Sequence, residues 1–296
     1  MTGETPLAAD EALRHVTGLA RAGTPVAAGV RVSVNFHPDR GGMLEALGRE
    51  GVYRSQFVTG TSNGGLTAYP GGDRWRWESR IFGGAYDRAD GRARPVYGAL
   101  NFRREQVGAA PRFGSAHFRL RAGTLARATF CYPDSAREPS DFGVEGTVSA
   151  LVELARADTA AGRGDALDGY VEAQVHGPVV LAEDVEALVL DPSHRGTTVE
   201  DAARLLPCPL EWHAGFRLAV TELRRHPDYR GPEFVALGAE IAEGGFLDPR
   251  VIGEAARTGR HDPQSLKRVW HCVARFGAPP EGQAVVVGEV GEVGRR

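Results

Sequence analysis

At Asp191-Pro192 the periodicity of the chain changes, and that change limits the folds open to it. Before this point, apolar residues alternate with period two in short runs. Beyond it, they recur at helical spacing in segments several of which open on proline, a residue suited to a helix's first turn. Val30–Phe36 (VRVSVNF), Val52–Val58 around YRSQF, Pro95–Asn101, Ala116–Leu120, Ala128–Tyr132, Tyr170–Leu181 and Glu186–Asp191 read as strands. Thr5–Ala22, Met43–Glu50 and Val148–Ala155 read as helices, and Pro70–Ala89 as an ordered surface excursion. Past Pro192, helices are predicted at Val199–Leu206, Gly215–His226, Pro232–Glu243, Pro249–Thr258 and Pro263–Phe276, and a weak strand or disordered end over Gly277–Arg296. Strands and helices do not alternate regularly, so a doubly wound parallel sheet is not expected. A mixed, mainly antiparallel α+β fold is. The expected division is an N-terminal helical segment over 1–29, a β-rich domain over 30–196 that carries the chemistry, and a helical C-terminal region over 197–296.

Composition bears chiefly on partners and compartment. A chain of 296 residues, 42% hydrophobic and 25% charged, is long enough to bury a sizeable core in one large domain or two modest ones. Its formal charge of -3 supplies no electrostatic reason to require a polyanion as partner. Lys267 is the only lysine, so 34 of the 35 basic residues are arginine, the side chain best shaped for two-pronged phosphate contacts. A GC-rich genome accounts for the same bias. Cys131, Cys208 and Cys272 are odd in number and widely spaced, which fits reduced, buried thiols and neither a zinc knuckle nor a disulfide framework. With no secretory leader pattern in Met1–Asp10 and no long apolar run, the expectation is a cytoplasmic protein with no membrane partner. Oligomeric state is left open.

Two segments invite a chemical reading. The loop Thr59-Gly60-Thr61-Ser62-Asn63-Gly64-Gly65 combines hydroxyls with glycines after a strand bearing Arg54, a composition that lets backbone N–H groups approach a ligand. It matches neither phosphate-loop signature, and a glycine-bearing hairpin turn is the plain alternative. On the strand Tyr170–Leu181, alternation places Tyr170, Glu172, Gln174 and His176 on one face. That row either meets solvent or lines a wet cleft, where a carboxylate such as Glu172 serves to stabilise positive charge or move protons. His37, His117 and His176 lie on or beside strands without metal-ligand spacing, so no metal is expected. Ser115 lacks a nucleophile-elbow pattern. Trp75 and Trp77 either stack on a ligand ring or cover a core edge.

YRSQFVTGTSNGG (Tyr53–Gly65), WRWESRIFGGAYD (Trp75–Asp87), RPVYGALN (Arg94–Asn101), GSAHFRL (Gly114–Leu120) and YVEAQVHGPV (Tyr170–Val179) together resemble a bacterial family catalogued as a domain of unknown function. More distantly, the order of these segments resembles the ADP-ribosyltransferase fold, a split β-sandwich that holds NAD between its sheets. In that fold an early strand supplies Arg or His, a middle strand Tyr or Ser, and a late strand Glu. The resemblance implies NAD as substrate and places Arg54 with the early residue, Tyr97 or Ser115 with the middle one, and Glu172 with the late one. It further implies ligand contacts from Thr59, Gly60, Thr61, Ser62, Ser115, His117 and Gln174. The departures are Tyr170 where toxin-like members carry Gln or Glu, and the lack of a Ser-Thr-Ser strand. These put an arginine-modifying role in doubt and leave the ADP-ribose acceptor open among protein, nucleic acid, small molecule and water. The rival readings are a non-catalytic nucleotide- or protein-binding module, and a hydrolase using His117 or His176 as base.

Overall fold

The alternating segments do form strands, and their alternation becomes the two faces of one sheet. The computed structural model describes residues 4–39, 41–60 and 68–280. Eight strands are hydrogen-bonded in the order β10-β9-β4-β1-β3-β7-β5-β6. They are β1 (Val32–Phe36), β3 (Val96–Leu100), β4 (Ala116–Leu120), β5 (Ala128–Tyr132), β6 (Asp141–Val144), β7 (Val171–Val175), β9 (Val185–Leu190) and β10 (Leu210–Trp212). All neighbours are antiparallel except β9 and β10, which run parallel. A separate two-stranded ladder joins β2 (Val52–Tyr53) to β8 (Val179–Val180), and another joins β11 (Leu218–Ala219) to β12 (Phe246–Leu247).

One face of the large sheet is apolar. Val32, Val34 and Phe36 of β1 lie there with Phe118, Leu120, Phe130, Val171, Ala173, Val175, Leu188 and Leu190. It is closed by α2 (Met43–Glu50), α5 (Ser149–Ala160) and α7 (Thr198–Arg204), which contribute Leu44 and Leu47, Leu151 and Ala155, and Val199 and Ala203. Side chains of this size are worth about 1.5–3 kcal/mol each when fully buried, so this face holds the fold. The opposite face carries Ser33, Asn35, His117, Thr129, Cys131, Glu172 and Gln174, all buried. It is roofed by α4 (Asp73–Ile81), whose Ile81, with Phe82 and Tyr86 just beyond the helix, packs on α1 (Glu4–Leu19). The loop 102–114 and the C-terminal helices cover its other end. Three short helices, α3 (Gln56–Thr59), α6 (Leu181–Asp184) and α8 (Val220–Leu223), turn the chain between strands.

The C-terminal helices α10 (Pro232–Ile241), α11 (Pro249–Arg257) and α12 (Pro263–Phe276) begin with the expected prolines, and with α9 (Pro227–Arg230), a short helix not expected, they enclose a second core around Trp270, Val273, Leu247 and Ile252. Asp248 and Asp262 cap α11 and α12 by accepting the backbone N–H groups of Val251 and Ser265. Trp270 Nε1 donates to the Pro111 carbonyl at 2.8 Å, tying this core to the loop 102–114.

Several expected boundaries move. Strand character over Val52–Val58 stops at Tyr53, and the chain turns into α3 instead. The single strand over Tyr170–Leu181 divides into β7 and β8 at Gly177, whose φ of 78° carries the turn. Pro70–Ala89 contains α4, and β6 falls where no element was expected. The segment Gly215–His226 is β11 followed by α8, not one helix. The region over 197–296 is not wholly helical, because β10 extends the large sheet beyond residue 196. The part of the tail from 281 onward lies outside the described residues.

The register between β1 and its loop depends on Gly114. A Cβ there would lie 1.9 Å from the Phe36 carbonyl carbon and 2.5 Å from the His37 nitrogen. Backbone cannot yield as a flexible side chain does, so Gly114→Ala is expected to lower unfolding stability by about 2–3 kcal/mol, as conformationally incompatible substitutions do. Urea denaturation of the variant checks this; an unchanged midpoint would rule out so close an approach.

Candidate functional site

The ladder between β1 and β3 is short. It comprises only Val32↔Leu100 and Ser33↔Ala99, whereas β3 and β7 pair from Val96↔Val175 to Leu100↔Val171. Past Ser33 and Ala99 the two strands part, and side chains from both faces of the sheet open into one cavity of about 380 Å³, within the range of small-molecule sites. Asn35, Phe36 and His37 line it from the β1 side, Val96, Tyr97 and Gly98 from β3, and Glu172 from β7. Met43, Ala46 and Leu47 of α2 and Tyr53 of β2 also line it, with Arg54 and Thr59 beyond, while Arg74 of α4 contributes a charged side chain.

Glu172 is held at both oxygens. Oε1 accepts Gln174 Nε2 at 2.9 Å and faces the Cys131 thiol at 3.7 Å, while Oε2 accepts the Ser135 hydroxyl at 3.1 Å and the Ser135 N–H at 3.4 Å. Burial raises its carboxyl above the ordinary value, and the negative charge of Asp134 adds to that; Arg74, Gln174 and Ser135 pull in the other direction. Asp134 in turn accepts the Tyr170 hydroxyl at 2.5 Å.

Tyr97 is fixed by a buried ion pair. Its hydroxyl donates to Glu78 Oε1 at 3.1 Å, and Arg94 Nη1 donates to Glu78 Oε2 at 2.5 Å. Arg94 Nη2 donates to the Tyr86 carbonyl. Glu78 is fully buried; desolvation pushes its carboxyl up, and Arg94 opposes that push. Burial also lifts the Tyr97 phenol well above its ordinary range, so it remains a neutral donor. The Arg74 guanidinium lies 4.3 Å from the centre of the Tyr97 ring.

The expected residues therefore separate into groups. Arg54, Thr59, Tyr97 and Glu172 line the cavity together. Gln174 does not line it but orients Glu172 from behind. Arg54 lies just after β2, not on the large sheet, and its Nε pairs with Glu50 at 3.2 Å near the surface. Gly60 caps α3 with φ 63° and is not among the residues lining the cavity, while Thr61 and Ser62 lie outside the described residues. Ser115 and His117 are placed elsewhere: His117 borders a second hollow with Arg31 and Arg119, and its burial and neighbouring charges lower its pKa to about 3. His176 is enclosed, with Tyr86 at 2.7 Å from Nδ1 and Thr129 at 2.9 Å from Nε2, and burial lowers it to about 3. Trp75 and Trp77 lie on α4 outside the cavity lining; Trp77 is 5.6 Å from the Arg74 guanidinium.

His37, Arg74, Glu78 and Arg94 had no assigned role in this site from the sequence. His37 follows a readable strand, so its place at the strand end was a usable signal. Arg74 and Glu78 are four apart, the spacing that puts two side chains on one helix face, but charged residues on a buried face run against the hydropathy pattern by which helices are read.

The raised Glu172 carboxyl has a consequence for stability. An acid that binds its proton more tightly when folded contributes stability that is full below its unfolded value, near 4.5, and lost as pH rises through the higher folded value. Glu172→Gln removes the charge and keeps a single acceptor oxygen, which serves Gln174 or Ser135 but not both. Its melting temperature relative to the wild type is expected to rise by about 2–4 °C from pH 4 to pH 8. Paired thermal melts across that range check it; a gap independent of pH would contradict a buried, ionising Glu172.

These features define a class: an α+β protein with a large, mostly antiparallel sheet parted at its centre by a cavity. Residues 31–157 and 148–274 each match the model of a family described as a protein of unknown function (DUF3626), and the chain belongs to that family. No curated protein matches the chain. Among the described residues, no helix is long and apolar enough to cross a membrane.

Proposed function

We propose that the protein is an NAD-dependent ADP-ribosyltransferase, its sheet a version of that fold in which the two halves remain joined by two residue pairs. The observation that carries this reading is the parting of β1 from β3, with residues of three consecutive sheet strands facing the opening: His37 at the end of β1, Tyr97 on β3 and Glu172 on β7. In this reading His37, rather than Arg54, takes the early-strand position, because Arg54 belongs to the small ladder beside the sheet.

The chemistry follows from where charge develops. Breaking the nicotinamide–ribose bond sends its electron pair to the ring nitrogen and leaves oxocarbenium character on the ribose. Ionised Glu172, already oriented by Gln174 and Ser135, accepts a hydrogen bond from the ribose 2′-hydroxyl and stabilises that cation. The Tyr97 ring, anchored through Glu78, offers a stacking surface for nicotinamide. Arg54 stands at the cavity to meet the pyrophosphate, its charge shared with Glu50. An acceptor nucleophile then bonds to the ribose carbon and gives up its proton. Incubating the purified protein with NAD tests the reading: nicotinamide should be released, and its absence across candidate acceptors, water included, would overturn it.

A further inference from the structure

We infer that Thr129 and His176 are positioning residues for Glu172, locking the Gln174 amide so that its NH2 group faces the carboxylate in the cavity. This rests on the reading of Glu172 as the charge-stabilising group, although the contacts themselves do not depend on cleavage of NAD. Tyr86, His176, Thr129, Gln174 and Glu172, all buried, form one continuous chain on the polar side of the sheet. The Tyr86 hydroxyl lies 2.7 Å from His176 Nδ1, and His176 Nε2 lies 2.9 Å from Thr129 Oγ1. Thr129 Oγ1 is 2.8 Å from Gln174 Oε1, and Gln174 Nε2 is 2.9 Å from Glu172 Oε1. The Gln174 amide also donates to the Cys131 sulfur at 3.3 Å. The sheet register creates the chain, since β5 and β7 set Thr129 opposite Gln174.

An ionised Glu172 can only accept, and that fixes the sense of every link. Gln174 turns its NH2 group to Glu172 and its carbonyl oxygen to Thr129, which donates its single hydroxyl hydrogen there. The Thr129 oxygen then accepts from His176, whose ring is neutral because burial lowers its pKa to about 3. A neutral imidazole has one N–H, so with Nε2 donating, Nδ1 accepts from Tyr86. Burial holds the Tyr86 phenol above its ordinary range, so that hydrogen stays on it. Without the Thr129 hydrogen, the Gln174 carbonyl has no donor to hold it away from Glu172. Packing alone is served by valine at 129 and an apolar ring at 176. Desolvated polar groups are costly unless each is satisfied, as each is along this chain.

The test compares the wild type with Thr129→Val, which keeps the shape and removes the hydroxyl, and Thr129→Ser, which keeps the hydroxyl. NMR of isotope-labelled glutamate carboxyls, with Glu172→Gln for assignment, follows the ionisation of Glu172 without NAD. In Thr129→Val its midpoint should rise by about 0.5–1 pH unit, because the carboxylate loses one ordinary hydrogen bond. Thr129→Ser should leave it in place. Asp134, Arg74 and Ser135 also act on Glu172 and are untouched by either change. Nicotinamide release should fall about 3- to 10-fold in kcat in Thr129→Val, with KM for NAD unaltered, and serine should restore it. In a Gln174→Met background, Thr129→Val should add nothing to either reading. If Thr129→Val does not fold, Thr129→Ala takes its place throughout. An unmoved midpoint or undiminished turnover in that variant overturns the inference. So does a loss that serine does not rescue, or one that persists in the Gln174→Met background. A midpoint that moves as expected, in a protein that releases no nicotinamide, leaves the control of Glu172 by Thr129 standing and removes the transferase reading.

Discussion

Glu172→Gln should reduce nicotinamide release from NAD by on the order of 100-fold or more, the loss typical when one preorganised electrostatic group is removed from a transition state. Glutamine fits the same space and keeps one of the two acceptor oxygens, so the change is chiefly one of charge. NAD affinity should move little, because the ribose acquires its positive charge only as the bond breaks. The pH dependence should point the same way. On the proposed mechanism turnover requires the carboxylate, whose proton is held more tightly than usual by burial and by Asp134, so activity should fall with decreasing pH while still above the ordinary carboxylate range. Steady-state kinetics and NAD binding measured side by side decide the matter. Wild-type turnover in the Gln variant would remove Glu172 from the chemistry.

The second large effect is on stability. Glu78→Leu strips a 3%-exposed Arg94 of its counterion and Tyr97 of its acceptor. Breaking one side of a buried ion pair costs about 3–5 kcal/mol, because a charge is left in a medium that solvates it poorly. The double variant Glu78→Leu/Arg94→Met should recover a substantial part of that loss, since no stranded charge remains. Denaturant unfolding of the single and double variants measures the coupling. Additive losses would mean that the two side chains act independently, contrary to their 2.5 Å contact.

The two effects come from neighbouring parts of one arrangement. Glu78 leaves α4 for the sheet and fixes Tyr97, while Glu172 is fixed by Gln174 from its own strand and by Ser135 beyond β5. Neither carboxyl is solvated in the ordinary way, and both are raised by burial. Such groups are stabilised by their partners, not by water. The cavity accordingly has a rigid floor in the sheet and a charged roof in α4.

What the sequence determined by itself was local. Period-two alternation located β1, β3, β4, β5, β7 and β9, and it placed Glu172 and Gln174 on a common face before any contact was known. Prolines in first turns marked α10, α11 and α12. Each of these signals lies within one element, where backbone geometry repeats.

The tertiary structure alone decided the rest. The short strands β6 and β10 carry too few residues for a period to show, and they exist because the neighbouring strands β5 and β9 offer hydrogen-bonding edges. The segment around Arg74 and Glu78 read as an ordered surface excursion because its buried positions are charged. Only Tyr97 from β3 and Arg94 from the turn just before it make burial of Glu78 possible. The cavity itself depends on where the pairing of β1 with β3 ends, a property of two strands more than 60 residues apart. Alternation tells which way a side chain points along its own strand, but not whether the next strand stays bonded or moves away to leave a space, because that is decided by the packing of every layer around it.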